Sequence, residues 1–158
     1  MQSLNSLQRN FTTNLLSTGR RWRKAVDQVL SSHGISEACA QPLIWIGRLG
    51  GGVRQVVLAN YVGIEGPSLV RLLDQLENLG LVVRRDDPTD RRAKGLWLTE
   101  EGEKLAAHME DVLDELRGRI LARVDKADIE AANRVLKAFE DIDTLQVAAF
   151  NQQIEAAS

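Results

Sequence analysis

Between Arg84 and Lys94 the chain carries five cations, Arg84, Arg85, Arg91, Arg92 and Lys94, against three acids, Asp86, Asp87 and Asp90. Fixed cations at that density attract a polyanion and release its counterions, which is the sequence-independent part of nucleic-acid binding. Asp90 is read as structural, because a short carboxylate accepts turn N–H groups and orients neighbouring arginines. Upstream, Glu65, Gly66, Pro67, Ser68 and Arg71 make a second polar group. A serine hydroxyl donates to phosphate or accepts from a base, and an arginine fork grips a phosphate or a guanine edge. Glu65 is read as a helix cap or a base reader. Arg54 and Gln55, at the start of a short helix, are read as donors to phosphate.

A third cluster surrounds Trp22, which is flanked by Arg20, Arg21, Arg23 and Lys24. A flat apolar ring beside a guanidinium suits an aromatic carboxylate. The competing reading is a Trp turned to the core or to a second copy, with solvated arginines around it. Arg20, Trp22, Arg23, His33 and Trp45 are grouped as a candidate effector pocket.

Other chemistries lack the residues they need. Cys39 is the only cysteine, so neither an intrachain disulfide nor a cysteine metal cluster can form. A thiol sensor at Cys39 is the alternative for regulation; its setting between Ala38 and Ala40 favours a buried, inert thiol. His33 and His108 lie far apart in sequence, with no metal-ligand spacing around either. No glycine-rich phosphate loop follows a strand, and no serine sits in a nucleophile elbow. No enzyme, metal or cofactor is expected.

The elements that must position these groups follow from periodicity. Leu4, Leu7, Phe11, Leu15, Trp22, Val26 and Leu30 form one apolar stripe and predict a long helix over about 4–30. Ser36 is a good N-cap for a second helix, in which Pro42 predicts a late start or a bend. Gly50-Gly51-Gly52 breaks the chain, and a short helix is expected over 53–61. Pro67 opens a third, with Leu69, Leu72, Leu73, Leu76 and Leu79 on one face and Gly80 as its stop. Leu81-Val82-Val83 reads as a strand, 86–90 as a turn, and Gly95 to Thr99 as a returning strand. Thr99 caps a long helix reaching about Val124, and Asp125 with Asp128 caps a last one. A helix leading straight into a basic hairpin is the layout of a winged helix.

The quoted residues also carry a family resemblance. Gly63-Ile64-Glu65, Pro67 to Arg71, Leu73 to Glu77, Gly80-Leu81, Asp90 to Lys94 and Leu98-Thr99-Glu100 resemble the MarR family of bacterial regulators, most closely its SlyA branch. The resemblance implies a mainly α fold with a small β-hairpin wing. It implies a winged helix-turn-helix at 35–99, intertwined with a helical dimerisation region at 1–34 and 100–158. It implies a homodimer on a pseudo-palindromic duplex operator, acting as repressor or anti-silencer and released by a small aromatic or phenolic carboxylate; the alternative is a DNA-binding regulator with no small-molecule effector. Arg91 and Arg92 would enter the minor groove; Arg84, Arg85 and Lys94 would meet phosphate. The chain departs from many relatives at Cys39-Ala40, where they have Gln-Trp, and at Gly66, where they have a bulkier residue.

Composition sets the outer bounds. With 158 residues, 44% of them hydrophobic, the chain can bury one ordinary core. Its formal net charge of −2 argues against indiscriminate nucleic-acid binding, but the charge is segregated. From Asp125 onward there are seven acids and three cations, so the basic hairpin belongs to a polar molecule. The N-terminus reads as no signal peptide and no apolar run spans a bilayer, so a cytoplasmic protein is expected.

Overall fold

The structure is a computed structural model that describes residues 3–87, 94–140 and 152. Its elements are α1 (Leu4–Ser32), α2 (Glu37–Arg48), β1 (Val53–Arg54), α3 (Gln55–Val62), α4 (Gly66–Asn78), β2 (Val82–Asp86), β3 (Lys94–Leu98), α5 (Glu100–Ile120) and α6 (Lys126–Lys137). The architecture is mostly helical with a small antiparallel sheet in the order β1-β3-β2. The chain divides into two compact units, 1–116 and 117–158.

Within the first unit, one core joins the short helices to the sheet. Leu58 of α3 and Leu69, Leu73 and Leu76 of α4 are fully buried against Leu43 and Ile46 of α2, Val82 of β2 and Leu96 of β3. A second cluster packs Val26 and Leu30 of α1 on Ala40 and Ile44 of α2 and on Met109 and Leu113 of α5. Thus α2 has one face in each cluster and is the wall between them. Among the described residues, no single helix is long and apolar enough to cross a membrane.

Several expectations need correction. The expected hairpin has a third strand, because Val53 and Arg54 pair with Leu96 and Gly95 instead of starting α3. Gly50, Gly51 and Gly52 all have positive φ and redirect the chain so that β-branched Val53 buries beside Leu96. Pro42 neither delays nor breaks α2 and is buried inside it. The carbonyl that lacks its N–H partner belongs to Ala38, on an exposed residue where water can replace the bond. Helix α5 ends at Ile120, before Val124. It buries Gly102, Ala106, Met109 and Leu113, whereas Leu105, Val112 and Leu116 on the neighbouring stripe are only half-buried.

The second unit holds the end of α5 and α6. Asp125 occupies the N-cap position of α6, but its side chain makes no capping bond. No residue of α6 is buried, and Val135 and Leu136 are 46% and 40% exposed.

Candidate nucleic-acid interface and effector cavity

Helix α4 is amphipathic in the way a reading helix must be. Leu69, Leu73 and Leu76 are sealed in the core, while Glu65, Pro67, Ser68 and Arg71 are exposed. Pro67 lies in the first turn, where a missing N–H costs nothing. Glu65 holds the N-cap position without a side-chain capping bond, so its carboxylate remains outside the helix. A Cβ at Gly66 would meet open space. Gln55, half-buried, is the first residue of α3, and Arg54 precedes it as N-cap.

The cations divide by their partners. Arg84 is engaged by α4: its guanidinium meets Glu77 and Asp74, the latter at 2.9 Å, and its N–H donates to Glu77 at 3.0 Å. Its side chain is only 22% exposed. Arg84 is therefore a staple between α4 and β2, unlike the free phosphate contact expected from the sequence. Arg54 bonds the Asp87 carboxylate at 3.1 and 3.2 Å and ties β1 to the base of the hairpin. Arg71 and Lys94 are exposed and have no carboxylate partner among the described residues. Arg85 is exposed and stands 5.9 Å from the centroid of Trp97. Asp90, Arg91 and Arg92 lie outside the described residues.

Trp97 was not singled out by sequence, yet it shapes the base of the hairpin. A Cβ on Gly51 would lie 2.6 Å from Trp97 Cδ1, and one on Gly95 would lie 2.6 Å from its Cη2. The ring lies in a slot that only glycines leave open. The signal was present as glycines on both sides of an aromatic strand residue, but nothing local shows that they meet.

The exit of α4 is fastened to the start of α5. The Thr99 hydroxyl donates to the Gly80 carbonyl at 2.6 Å and accepts from the Gly102 N–H at 3.1 Å, so it caps α5 as expected and also reaches back. The Thr99 N–H donates to Leu81 at 3.0 Å. A Cβ on Gly102 would fall on the Leu81 carbonyl oxygen, far inside van der Waals contact.

A cavity of about 470 Å³ opens between α2, β3 and α5. Ile44, Ile46, Trp97, Leu98 and Ala106 give it apolar walls; Arg48, Glu103 and Glu110 supply its charges. Arg48 meets Glu110 through one bidentate guanidinium edge, its Nε on Oε1 and its Nη2 at 3.0 Å from Oε2. That hydrogen bond holds the Arg48 pKa above its ordinary value, against a smaller opposing effect of burial. The guanidinium also stands 4.9 Å from the Trp45 centroid, and Trp45 stacks on Tyr61 of α3 at 4.7 Å.

None of the five residues grouped by sequence as an effector pocket lines this cavity. Arg20 is exposed and Trp22 is 36% exposed. For Arg20, Trp22 and Arg23 the reason is length: only the last turns of α1, at Val26 and Leu30, reach the core. Arg23 pairs with Glu37 at 3.5 Å. His33 caps α1, its Nδ1 2.9 Å from the Val29 carbonyl, and its ring stands 5.4 Å from that of His108. Trp45 touches the cavity only through Arg48. Sequence reading missed Arg48 and Glu110, 62 positions apart, because no local spacing marks a pair that only the fold assembles.

Helices α3 and α4, backed by a sheet whose two long strands bear cations, define a winged-helix regulator of transcription. Residues 33–93 match the model of the MarR family. A solved transcriptional regulator, PA3341, is 36% identical with a TM-score of 0.75, covering 90% of this chain and 98% of its own. The chain belongs to the MarR family. CouR from Rhodococcus jostii RHA1, solved with p-coumaroyl-CoA, is 27% identical with a TM-score of 0.77, covering 90% and 98%. NadR, solved with 4-hydroxyphenylacetate, is 25% identical with a TM-score of 0.76, covering 90% and 99%.

Proposed function

We propose that this MarR-family regulator binds a pseudo-palindromic duplex site as a homodimer and is released from it by a small aromatic carboxylate. The observation that supports DNA reading best is α4: one face is fully buried, and the other offers Ser68 and Arg71, while Lys94 of β3 is exposed with no carboxylate partner among the described residues. In this reading Ser68 and Arg71 meet base edges, with Glu65 and Gly66 flanking them. Gln55, Arg85 and Lys94 hold phosphate, and Arg91 and Arg92 enter the minor groove, where narrow A·T tracts attract arginine. Arg84 and Arg54 position the reading surface instead. Resemblance to the SlyA branch favours a repressor or anti-silencer in the cytoplasm.

A dimer would cover apolar surface that one chain leaves bare: Leu4 and Leu7 of α1, 69% and 51% exposed, and Ile120 of α5, 55% exposed. Two reading helices spaced by about one turn of duplex, roughly 34 Å, require a two-fold site. The effector cavity of this reading is the one beside Arg48. An aromatic acid such as the one NadR holds would set its ring among Ile44, Trp97 and Leu98. The Trp22 cluster of α1 would join it only across a dimer.

Fluorescence anisotropy on a duplex from the protein's own upstream region, with a panel of aromatic carboxylates, tests this. Binding far tighter than to scrambled duplex, and released by one compound, is the expected result; binding no tighter than scrambled duplex sinks it. A second reading makes Cys39 a redox sensor, because its Sγ lies 3.9 Å from Gln75 Oε1 on α4. Unchanged operator binding after peroxide treatment disposes of that reading.

A further inference from the structure

The Arg48–Glu110 pair gives the effector cavity a resident carboxylate. Glu110 holds one edge of the guanidinium, its Nε and Nη2, and the cavity's three charged side chains sum to one excess negative charge with Glu103 included. An incoming carboxylate therefore meets an acidic cavity whose one lining arginine already holds a carboxylate on its Nε edge. We propose that Glu110 is the gate of this cavity: an anionic aromatic ligand binds by taking the place of Glu110 on Arg48. The inference rests on the ligand-gated reading above and adds the residue that controls it.

Three features make the exchange physical. The pair is only part-buried, with side-chain exposures of 39% for Arg48 and 27% for Glu110, and ion pairs of that exposure are weak enough to open. Arg48 is held from its other side by the Trp45 ring, so the guanidinium stays in place when Glu110 leaves. The bridge also spans α2 and α5, so its loss removes one of the ties between the winged helix and the long helix that follows it. Two arrangements result, Arg48 on Glu110 or Arg48 on the ligand, and the ligand shifts the population because it contacts only the second.

The test compares wild type, Glu110→Gln and Glu103→Gln by calorimetry, with 4-hydroxyphenylacetate and its neutral amide as probes. Operator anisotropy is read on the same proteins. Glu110→Gln is expected to bind the acid at least ten-fold more tightly than wild type and the amide no more tightly. Glu103→Gln removes the same charge without freeing Arg48 and should gain far less. Ligand-free operator affinity of Glu110→Gln should fall several-fold, because the α2–α5 bridge is weakened. Equal gains from the two variants would reduce the effect to net charge and overturn the gate, as would acid binding unchanged, or absent, in folded, operator-binding Glu110→Gln. If the acid binds as expected but leaves the operator complex intact in every protein, the gate stands and the ligand-gated reading falls.

Discussion

Arg84 and Lys94 belong to one basic cluster in the sequence, and the structure gives them opposite circumstances. Lys94 has no carboxylate partner among the described residues, whereas Arg84 is neutralised by Asp74 and Glu77. Only an unneutralised cation displaces counterions when it meets phosphate. Lys94→Ala should therefore lower the slope of log affinity against log salt by about 1. Arg84→Ala should leave that slope unchanged while weakening binding at every salt concentration. Anisotropy titrations across a salt series read both; equal slopes for the two variants would return Arg84 to the phosphate contacts. Another expectation concerns Glu37, whose pKa is raised by burial, partly offset by Arg23 and increased by Asp27. A carboxyl held above its ordinary value favours the fold while protonated, and that contribution is lost as pH rises through the raised pKa. Glu37→Gln should accordingly flatten the stability–pH curve just above 4.5 and cost little at neutral pH, as read by denaturant unfolding.

At the scale of elements, the sequence announced most of the helices and missed what fastens them. Ser36 and Thr99 are caps by residue type, and both are observed accepting the bonds that caps accept. Gly80 is a helix stop by type, with positive φ in place. The third strand was not legible because two residues, Val53 and Arg54, are too few to show a period. Position by position, α5 reads as one broad apolar face, and only the packed structure shows that the stripe through Gly102 is the buried one. Gly102 is the sharpest example, since its importance lies in the distant Leu81 carbonyl. Gly102→Ala should destabilise the protein by about 3 kcal/mol, at the upper end of ordinary overpacking, because backbone cannot yield as a side chain can. Denaturant unfolding would show it, and a loss below about 0.5 kcal/mol would mean that α5 shifts freely against Leu81.

For the whole molecule, helix length is the informative quantity. Helix α1 has 29 residues, about 44 Å at the usual rise, and buries only Val26 and Leu30 in its own chain. In the dimer proposed above, a second copy would cover Leu4 and Leu7, the exposed start of this stripe. Leu7→Asp should shift the protein toward monomer in light scattering and reduce affinity for a two-fold operator by at least ten-fold. Affinity for an isolated half-site should hardly change. A Leu7→Asp protein that remains dimeric would place the interface elsewhere.

The joint at Leu81, Thr99 and Gly102 has a consequence for how the dimer proposed above would measure DNA. With a carbonyl oxygen pressed on a helix that has no side chain there, the joint has no slack. Any swing of α5 becomes travel of α4. A rod of 21 residues is about 31 Å long, so a displacement of about 5 Å at its far end is a rotation of about 10° at the joint where α4 is fastened. In the dimer proposed above, that rotation would change the distance between the two reading helices, a length that the double helix can refuse.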